Sequence, residues 1–254
     1  FVEREMIAVR FAGDSGDGMQ LTGAQFTNTT ALIGNDLATL PDFPAEIRAP
    51  TGTLAGVSGF QIQFGSKQIF TPGDRPDALV AMNPAALKAN LAVMEPGSMI
   101  FVDSDAFKKK ALEKVGFEGN PLENDSLGSY RLFDLPLTTL VHGALEDTEL
   151  TSREKDRCKN FFALGLMYWV FNRPMEYTLE WLDKKFAKKP NLADANKKAL
   201  KAGYHYGDTV ELFDTRYQVP EAKIDAGLYR QITGNQAAAY GLIAASKTSG
   251  LDLF

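Results

Sequence analysis

Near the amino terminus, a glycine-rich turn separates a predicted strand from a predicted helix. Residues 6–13 form an apolar run rich in strand-forming residues that ends at glycine, which predicts a strand. The segment GDSGDG follows, and after Gly18 small and apolar residues recur at helical spacing. This strand–turn–helix unit is typical of α/β proteins, in which ligands bind where strands end and helices begin.

The same alternation continues along the chain and predicts the fold class. Asn83-Pro84 predicts a helix start, because asparagine caps helices and proline suits their first position. The pattern predicts an α/β protein with a mostly parallel Rossmann-like sheet, helices on both faces and a helical carboxyl-terminal portion over 151–206. Further predicted strands lie at 36–40, 57–64, 78–82 and 98–103, with 65–70 as the hairpin partner of 57–64 and 41–56 as a long ordered loop.

The pattern also predicts a division into domains. Residues 1–206 form the first predicted domain, and residues 207–230, with mixed charge and weak periodicity, form a predicted linker. Residues 231–254 are predicted to open a second α/β domain with a helix rich in small residues at 233–246. Both ends of the chain lack a natural start or stop, so we expect a fragment of a longer polypeptide.

Composition excludes several classes of partner and site. The 254 residues carry a net charge of −5, which gives no broad attraction to nucleic acid or to an anionic membrane. The longest apolar run, 161–171, is far shorter than the roughly 20 residues that cross a bilayer. The only cysteine, Cys158, excludes internal disulfides and a self-contained iron–sulfur cluster, which normally takes four thiolates. A reducing, cytoplasmic setting is the simplest expectation.

The glycine-rich turn leaves two interpretations open. A helix amino terminus offers free N–H groups and a positive dipole end to an anion. The glycines are spaced G-x-x-G-x-G, which is not the dinucleotide pattern, and Met19-Gln20 excludes a Walker loop. Asp14 and Asp17 would repel a phosphate if they faced it, and they could instead cap the helix. The turn therefore binds an anionic or nucleotide-like ligand, or it serves packing alone.

Other polar residues are weaker candidates. Arg48, in the loop AEIRAPTG, could clamp a phosphate or carboxylate, or form a salt bridge with Glu46 or with a partner subunit. Asn83 and Asp103 follow predicted strands and could face the same crevice, although capping is the simpler role for Asn83. Neither His142 nor His205 has the spacing of a metal or triad site.

Four stretches in this order resemble one family. RFAGDSGDGMQLTG, TLPDFPAEIRAPTGTLAGVSGFQI, LVAMNPAALKANL and EKDRCKNFFALG are similar to the gamma-type domain of 2-oxoacid:ferredoxin oxidoreductases, with the 2-oxoglutarate type as the best match. In that type the domain is fused to the front of the alpha subunit, and GNQAAAYGLIAAS resembles the first helix of the following thiamine-diphosphate-related domain.

The resemblance implies an activity that belongs to a complex. A 2-oxoacid is decarboxylated on thiamine diphosphate with Mg²⁺, electrons pass through [4Fe–4S] clusters to ferredoxin, and the acyl group goes to coenzyme A; the reverse direction fixes CO₂. The implied partners are a beta subunit that holds the thiamine cofactor and a cluster, a second copy of the heterodimer, and ferredoxin. The chemistry then takes place mainly in other regions or subunits.

The resemblance also implies where coenzyme A lies. The residues carried over to its neighbourhood are Gly13, Ser15, Gly16, Asp17, Gly18 and, in the following loop, Arg48. Related enzymes have glycines after that arginine, where this chain has Ala49-Pro50, a departure that weakens the assignment of Arg48. Two rivals remain open, namely an independent dinucleotide-binding oxidoreductase domain and a structural interaction domain without a ligand.

Overall fold

The computed structural model describes residues 1–43, 54, 56–210, 215–225, 227–230 and 232–250. Contacts between Cα atoms divide the chain into two units, Phe1–Lys223 and Ile224–Phe254. Eight strands are described: β1 (Val2–Glu3), β2 (Met6–Asp14), β3 (Asp36–Asp42), β4 (Val57–Gly65), β5 (Ala78–Ala81), β6 (Met99–Asp103), β7 (Arg131–Leu135) and β8 (Tyr217–Gln218).

Nine α-helices are described in the same part of the chain. They are α1 (Met19–Leu32), α2 (Pro84–Asn90), α3 (Lys109–Lys114), α4 (Leu137–Ala144), α5 (Ser152–Asp156), α6 (Lys159–Val170), α7 (Glu176–Lys185), α8 (Pro190–Thr209) and α9 (Gly234–Ser249). The second unit contains α9, which begins with a capping box between Thr233 and Gln236. None of the described helices is long and apolar enough to span a bilayer.

The central sheet confirms the predicted fold class. Its six strands lie in the order β3-β4-β2-β5-β6-β7. Strands β2, β5, β6 and β7 pair in parallel, whereas β4 is antiparallel to both β2 and β3. Strand β4 therefore runs against the other five. A separate parallel pair joins β1 to β8.

Alternating side chains place one apolar cluster on each face of the sheet, as the two-residue period of a strand requires. On β5 and β6, Val80 and Phe101 belong to the cluster that includes α1, α6 and α8, whereas Leu79 and Ile100 belong to the cluster that includes α2 and α3. Both faces are thus covered by helices, which explains why these strands are apolar throughout.

The pairing of β4 corrects one prediction. Residues 65–70 were expected to form its hairpin partner, but 66–70 contain no strand, and β4 instead lies between β2 and β3. The predicted loop at 41–56 also begins later than expected, since Pro41 and Asp42 belong to β3. Most of that loop lies outside the described residues. A local alternation pattern marks a strand but does not identify the strand that pairs with it.

The first unit extends past the predicted domain end. Helix α8 continues to Thr209, and β8 pairs with β1, so residues of the predicted linker take part in the first unit. The prediction of three segments, 1–206, 207–230 and 231–254, stays a prediction. Tyr217 is buried and belongs to the larger apolar cluster, which connects this segment to the sheet.

Candidate functional site at the glycine-rich turn

The turn lies where the chain changes direction across the sheet. After β2 the chain enters α1, whose Met19 and Phe26 lie in one apolar cluster. After the neighbouring strand β5 it enters α2, whose Ala86 and Leu87 lie in the cluster on the other face. The two connections therefore leave the same sheet edge in opposite directions. In open α/β sheets this divergence creates the crevice that binds ligands.

Hydrogen bonds hold the turn in a compact conformation. The N–H groups of Gly16 and Asp17 donate to the Asp14 carbonyl at 2.7 and 3.0 Å, and the Ser15 N–H donates to the Gly56 carbonyl at 3.0 Å. Gly18 has a φ of 75°, a left-handed conformation that favours glycine. Ser15 and Gly16 are exposed at the tip of the turn.

Asp17 does not cap the helix. Its Oδ2 accepts a hydrogen bond of 2.8 Å from the Asp14 N–H, so the carboxylate points back to the end of β2. Gly13 permits this arrangement, because a Cβ there would lie 2.8 Å from the same oxygen. The N-cap of α1 is Gly18, and the helix has no side-chain cap and no acidic residue in its first turn. The capping interpretation of Asp17 was wrong, and the helix terminus remains able to meet an anion.

The position of Asp17 changes its acidity. The pKa of this carboxyl is raised, mainly because the group is partly buried. The hydrogen bond from the Asp14 N–H lowers the pKa, and the negative charge of Asp14 raises it. The carboxylate is therefore less solvated than an ordinary surface aspartate. It sits beneath the turn rather than at its exposed tip.

A cavity of about 370 Å³ opens beside the turn. Asp14 from the end of β2 and Asn83 from the end of β5 both line it, and Lys114 of α3 supplies a cation. Asn83 also caps α2, since its Oδ1 accepts a 2.8 Å hydrogen bond from the Ala86 N–H. In the structure Asn83 therefore both caps a helix and faces the crevice, the two roles considered for it from the sequence. The remaining lining residues are Leu54, Pro84, Ala85, Ala111 and Val115.

Asp103 is buried and hydrogen-bonded within the protein, so its side chain does not line the crevice. Its side chain is fully buried, and the Lys159 ammonium lies 2.9 Å from Oδ2. Thr138 donates to the same oxygen at 3.1 Å. A buried carboxylate whose hydrogen bonds are made within the protein does not present a free group to a ligand.

The sequence did not reveal the residues of α6 that support the turn. A Cβ on Gly18 would lie 2.6 Å from the Asn160 Nδ2, so α6 packs directly against the start of α1. Lys159 and Asn160 are far from the turn in sequence. No local pattern connects them to it, and their role follows from helix packing alone.

The remaining candidates are placed as follows. Arg48 lies outside the described residues, so its role stays a prediction. His142 Nε2 is 2.8 Å from Asp156 Oδ1 on the surface. Cys158 is buried, and burial followed by the Glu154 charge raises the pKa of its thiol to about 11, which disfavours the thiolate that a metal requires. Among the described residues, no group of three or more His, Cys, Asp or Glu side chains could hold a metal ion.

Comparisons with known proteins agree with this architecture. Residues 8–206 match the family model described as pyruvate ferredoxin/flavodoxin oxidoreductase. The 2-oxoglutarate oxidoreductase subunit KorA of Mycobacterium tuberculosis is 53% identical to this chain. The aligned region covers 97% of this chain and 38% of the KorA protein. The chain therefore spans well under half the length of this relative.

Solved structures share the fold at low sequence identity. The 2-oxoglutarate:ferredoxin oxidoreductase from Magnetococcus marinus, with 2-oxoglutarate, coenzyme A and succinyl-CoA bound, matches 98% of this chain and 43% of its own, at 21% identity and a TM-score of 0.67. The keto/oxoacid ferredoxin oxidoreductase gamma subunit from Geobacter sulfurreducens matches 80% of this chain and 99% of its own, at 19% identity and a TM-score of 0.53. The family match over residues 8–206 and the long, close similarity to the mycobacterial subunit show that this chain belongs to the pyruvate ferredoxin/flavodoxin oxidoreductase family.

Proposed function

We propose that the chain is part of a complex that oxidises 2-oxoglutarate with coenzyme A and ferredoxin. The products are succinyl-CoA, CO₂ and reduced ferredoxin, with the two electrons accepted one at a time, and the same complex can run the reverse carboxylation. The observation that carries this proposal is the 53% identity, over 97% of the chain, to a 2-oxoglutarate oxidoreductase subunit.

The proposed cofactors lie mainly outside this chain. Thiamine diphosphate, with Mg²⁺, supplies the decarboxylation, and [4Fe–4S] clusters carry the electrons. One buried cysteine does not fit a four-thiolate cluster. We therefore assign the clusters to other chains or regions, with a beta subunit of the same enzyme, a second copy of the heterodimer and ferredoxin as the proposed partners.

The role proposed for this chain is to contact coenzyme A at the glycine-rich turn. The α1 terminus has no side-chain cap, so its free N–H groups can meet a phosphate oxygen. Lys114 can neutralise part of the phosphate charge, and exposed Asp14 can accept from an amide or hydroxyl of the pantetheine arm. Asp17 is turned back to the Asp14 N–H, so of the two aspartates only Asp14 lines the crevice.

The second part of the proposal concerns the domain division. The match to the gamma subunit from Geobacter covers 99% of that subunit but only 80% of this chain. This difference supports one gamma-type module followed by the start of another domain. Helix α9 leaves Tyr240, Leu242 and Ile243 exposed within this chain. Side chains of this size are usually covered, which supports assigning α9 to the start of a larger domain of the thiamine-diphosphate type.

An assay of the assembled enzyme tests the overall function. The full-length polypeptide is co-purified with its partner subunit, and ferredoxin reduction is followed with 2-oxoglutarate, pyruvate and other 2-oxoacids, each with and without coenzyme A. We expect the highest kcat/KM with 2-oxoglutarate and no steady-state turnover without coenzyme A. Equal rates with every 2-oxoacid would contradict the substrate assignment.

Gly16→Val tests the coenzyme A contact. A Cβ at Gly16 has nothing within 4 Å, so the variant should fold normally while its side chain obstructs the exposed turn. We expect the KM for coenzyme A to rise at least about tenfold, a loss of about 1.4 kcal/mol, with the KM for 2-oxoglutarate changed less than about twofold.

Gly143→Val is the matched control for this variant. Gly143 is exposed on α4 and also has no atom within 4 Å of a built Cβ. Its kinetic constants should match those of the unsubstituted enzyme. If Gly16→Val raised neither constant, the turn would be a structural element without a ligand. If the protein bound NADH with a fluorescence change at this turn, the dinucleotide alternative would replace the proposal.

A further inference from the structure

A second and larger cavity, of about 580 Å³, lies between α1, α6 and the start of α8. It shares no lining residue with the crevice at the glycine-rich turn. Its apolar lining residues are Leu21, Leu150, Phe161, Phe186 and Leu192. Its volume falls within the range of roughly 300–1,000 Å³ that is typical of small-molecule sites, and its lining is typical of them as well.

Two buried amides line this apolar cavity. Asn160 is 5% exposed and Asn196 is 4% exposed. The Asn160 Oδ1 accepts from the Phe161 N–H, and the Asn196 Nδ2 donates to the Leu192 carbonyl. The other atom of each amide, the Asn160 Nδ2 and the Asn196 Oδ1, makes no hydrogen bond to the described parts of the chain, and neither is among the fully buried atoms that lack a partner. One donor and one acceptor beside the cavity are therefore available to a polar group of a ligand.

The rim of the cavity favours an anion. Arg157 and Lys189 are exposed and line it, whereas the one acidic lining residue, Glu154, already accepts from the Thr151 N–H and hydroxyl at 2.9 and 2.7 Å. The 20-residue helix α8 begins here with no side-chain cap and no acid in its first turn. Its dipole adds positive potential at the same place.

We propose that this cavity binds an organic anion with an apolar body and an amide-like polar group. The apolar body fills the space between α1, α6 and α8. Asn160 and Asn196 hydrogen-bond the polar group, and a carboxylate or phosphate lies near Lys189 and the start of α8. The lining of this cavity does not overlap with that of the crevice at the turn, although Asn160 also packs against Gly18.

A fluorescence titration with 8-anilinonaphthalene-1-sulfonate tests the site, because this dye combines an apolar body, an N–H donor and an anion. The full-length protein is compared with Lys189→Glu and with Lys188→Glu, which makes the same charge change at an exposed neighbour that does not line the cavity. We expect one site whose Kd rises about tenfold in Lys189→Glu and less than about twofold in Lys188→Glu. Absence of binding, or equal weakening in both variants, would overturn the proposal.

Competition against the bound dye identifies the anion. N-acetylphenylalanine offers a carboxylate, 4-acetamidophenyl phosphate offers a phosphate, and N-acetylphenylalaninamide is the neutral analogue. Displacement by either anion, at least about tenfold more effective than the neutral amide, supports the site and shows which anion it prefers. The proposal would be overturned if the neutral amide displaced the dye at the same concentration as the anions. It would also be overturned if none of the three compounds displaced the dye.

Discussion

At the scale of single residues, the turn depends on the direction of one carboxylate. Asp17 bonds to the Asp14 N–H, and Gly13 leaves room for it. The Asp17 carboxylate thereby joins the end of β2 to the start of α1 and does not face outward at the tip of the turn. Its partial burial raises its pKa, so its charge state is linked to the stability of the turn.

This linkage predicts how Asp17→Asn behaves with pH. Because the folded-state pKa of Asp17 is raised above the unfolded value of 3.8, the stability it contributes is present below that pH and is lost as pH rises through the raised pKa. Asparagine keeps an acceptor oxygen but does not titrate in this range. The stability of the variant relative to the unsubstituted protein should therefore increase as pH rises from 3.8 through the raised pKa of Asp17.

Urea unfolding at several pH values measures the difference. Ser15→Ala, in the same turn, removes a group that does not titrate there, and its stability difference should stay constant with pH. If the difference for Asp17→Asn were also constant, the Asp17 carboxyl would have the same pKa in the folded and unfolded states.

At the scale of elements, two glycines set the distance between α6 and α8. A Cβ on Gly165 would lie 2.0 Å from the Leu200 carbonyl oxygen, and a Cβ on Gly203 would lie 2.0 Å from the Phe162 carbonyl oxygen. The two backbones are in direct contact from both sides. This close packing positions α6, whose Asn160 lies under Gly18 of the turn.

Gly203→Ala should therefore destabilise the protein despite alanine's higher helix propensity. The methyl group meets backbone rather than a movable side chain, and overpacking of this kind costs about 1–3 kcal/mol or more. Gly143→Ala, at an exposed helical position with free space, should instead be neutral or stabilise by up to about 1 kcal/mol. Urea unfolding of both variants measures the contrast, and equal effects would mean that α6 and α8 separate at little cost.

At the scale of the whole molecule, the segment after α8 packs back onto the first unit. Strand β8 pairs with β1, and the Asn35 Nδ2 donates to the Pro220 carbonyl at 2.6 Å. The Ala222 N–H donates to the Gly34 carbonyl, and the Lys223 N–H to the Ser66 carbonyl, at 2.9 and 3.2 Å. These bonds connect three separate parts of the first unit to residues beyond 206.

Truncation tests this dependence. A chain ending at 206 should melt at least about 5 °C below a chain ending at 223. Each lost hydrogen bond contributes about 1 kcal/mol, and 1 kcal/mol corresponds to about 2–4 °C for a protein of this size. Circular dichroism melting of both chains gives the difference. Equal melting temperatures would show that the domain ends at 206, as the sequence pattern predicts.

Local patterns located several of the helices and strands. The Asn83-Pro84 helix start is confirmed, because capping depends on the backbone of three neighbouring residues. Strands β2, β5 and β6 and helix α9 lie where alternation and apolar runs place them. The strand–glycine–helix order also led to the correct fold class, since it reflects how parallel sheets are connected.

The sequence by itself thus determined the fold class, several of the helices and strands, and the position of the turn at a strand end. Only the tertiary structure decided that residues 66–70 do not pair with β4, that Asp17 turns back to Asp14, and that Asn160 packs beneath Gly18. The physical reason is range: propensity and capping act over a few residues, whereas register, side-chain direction and helix contact are set by residues distant in the chain and brought together by burial.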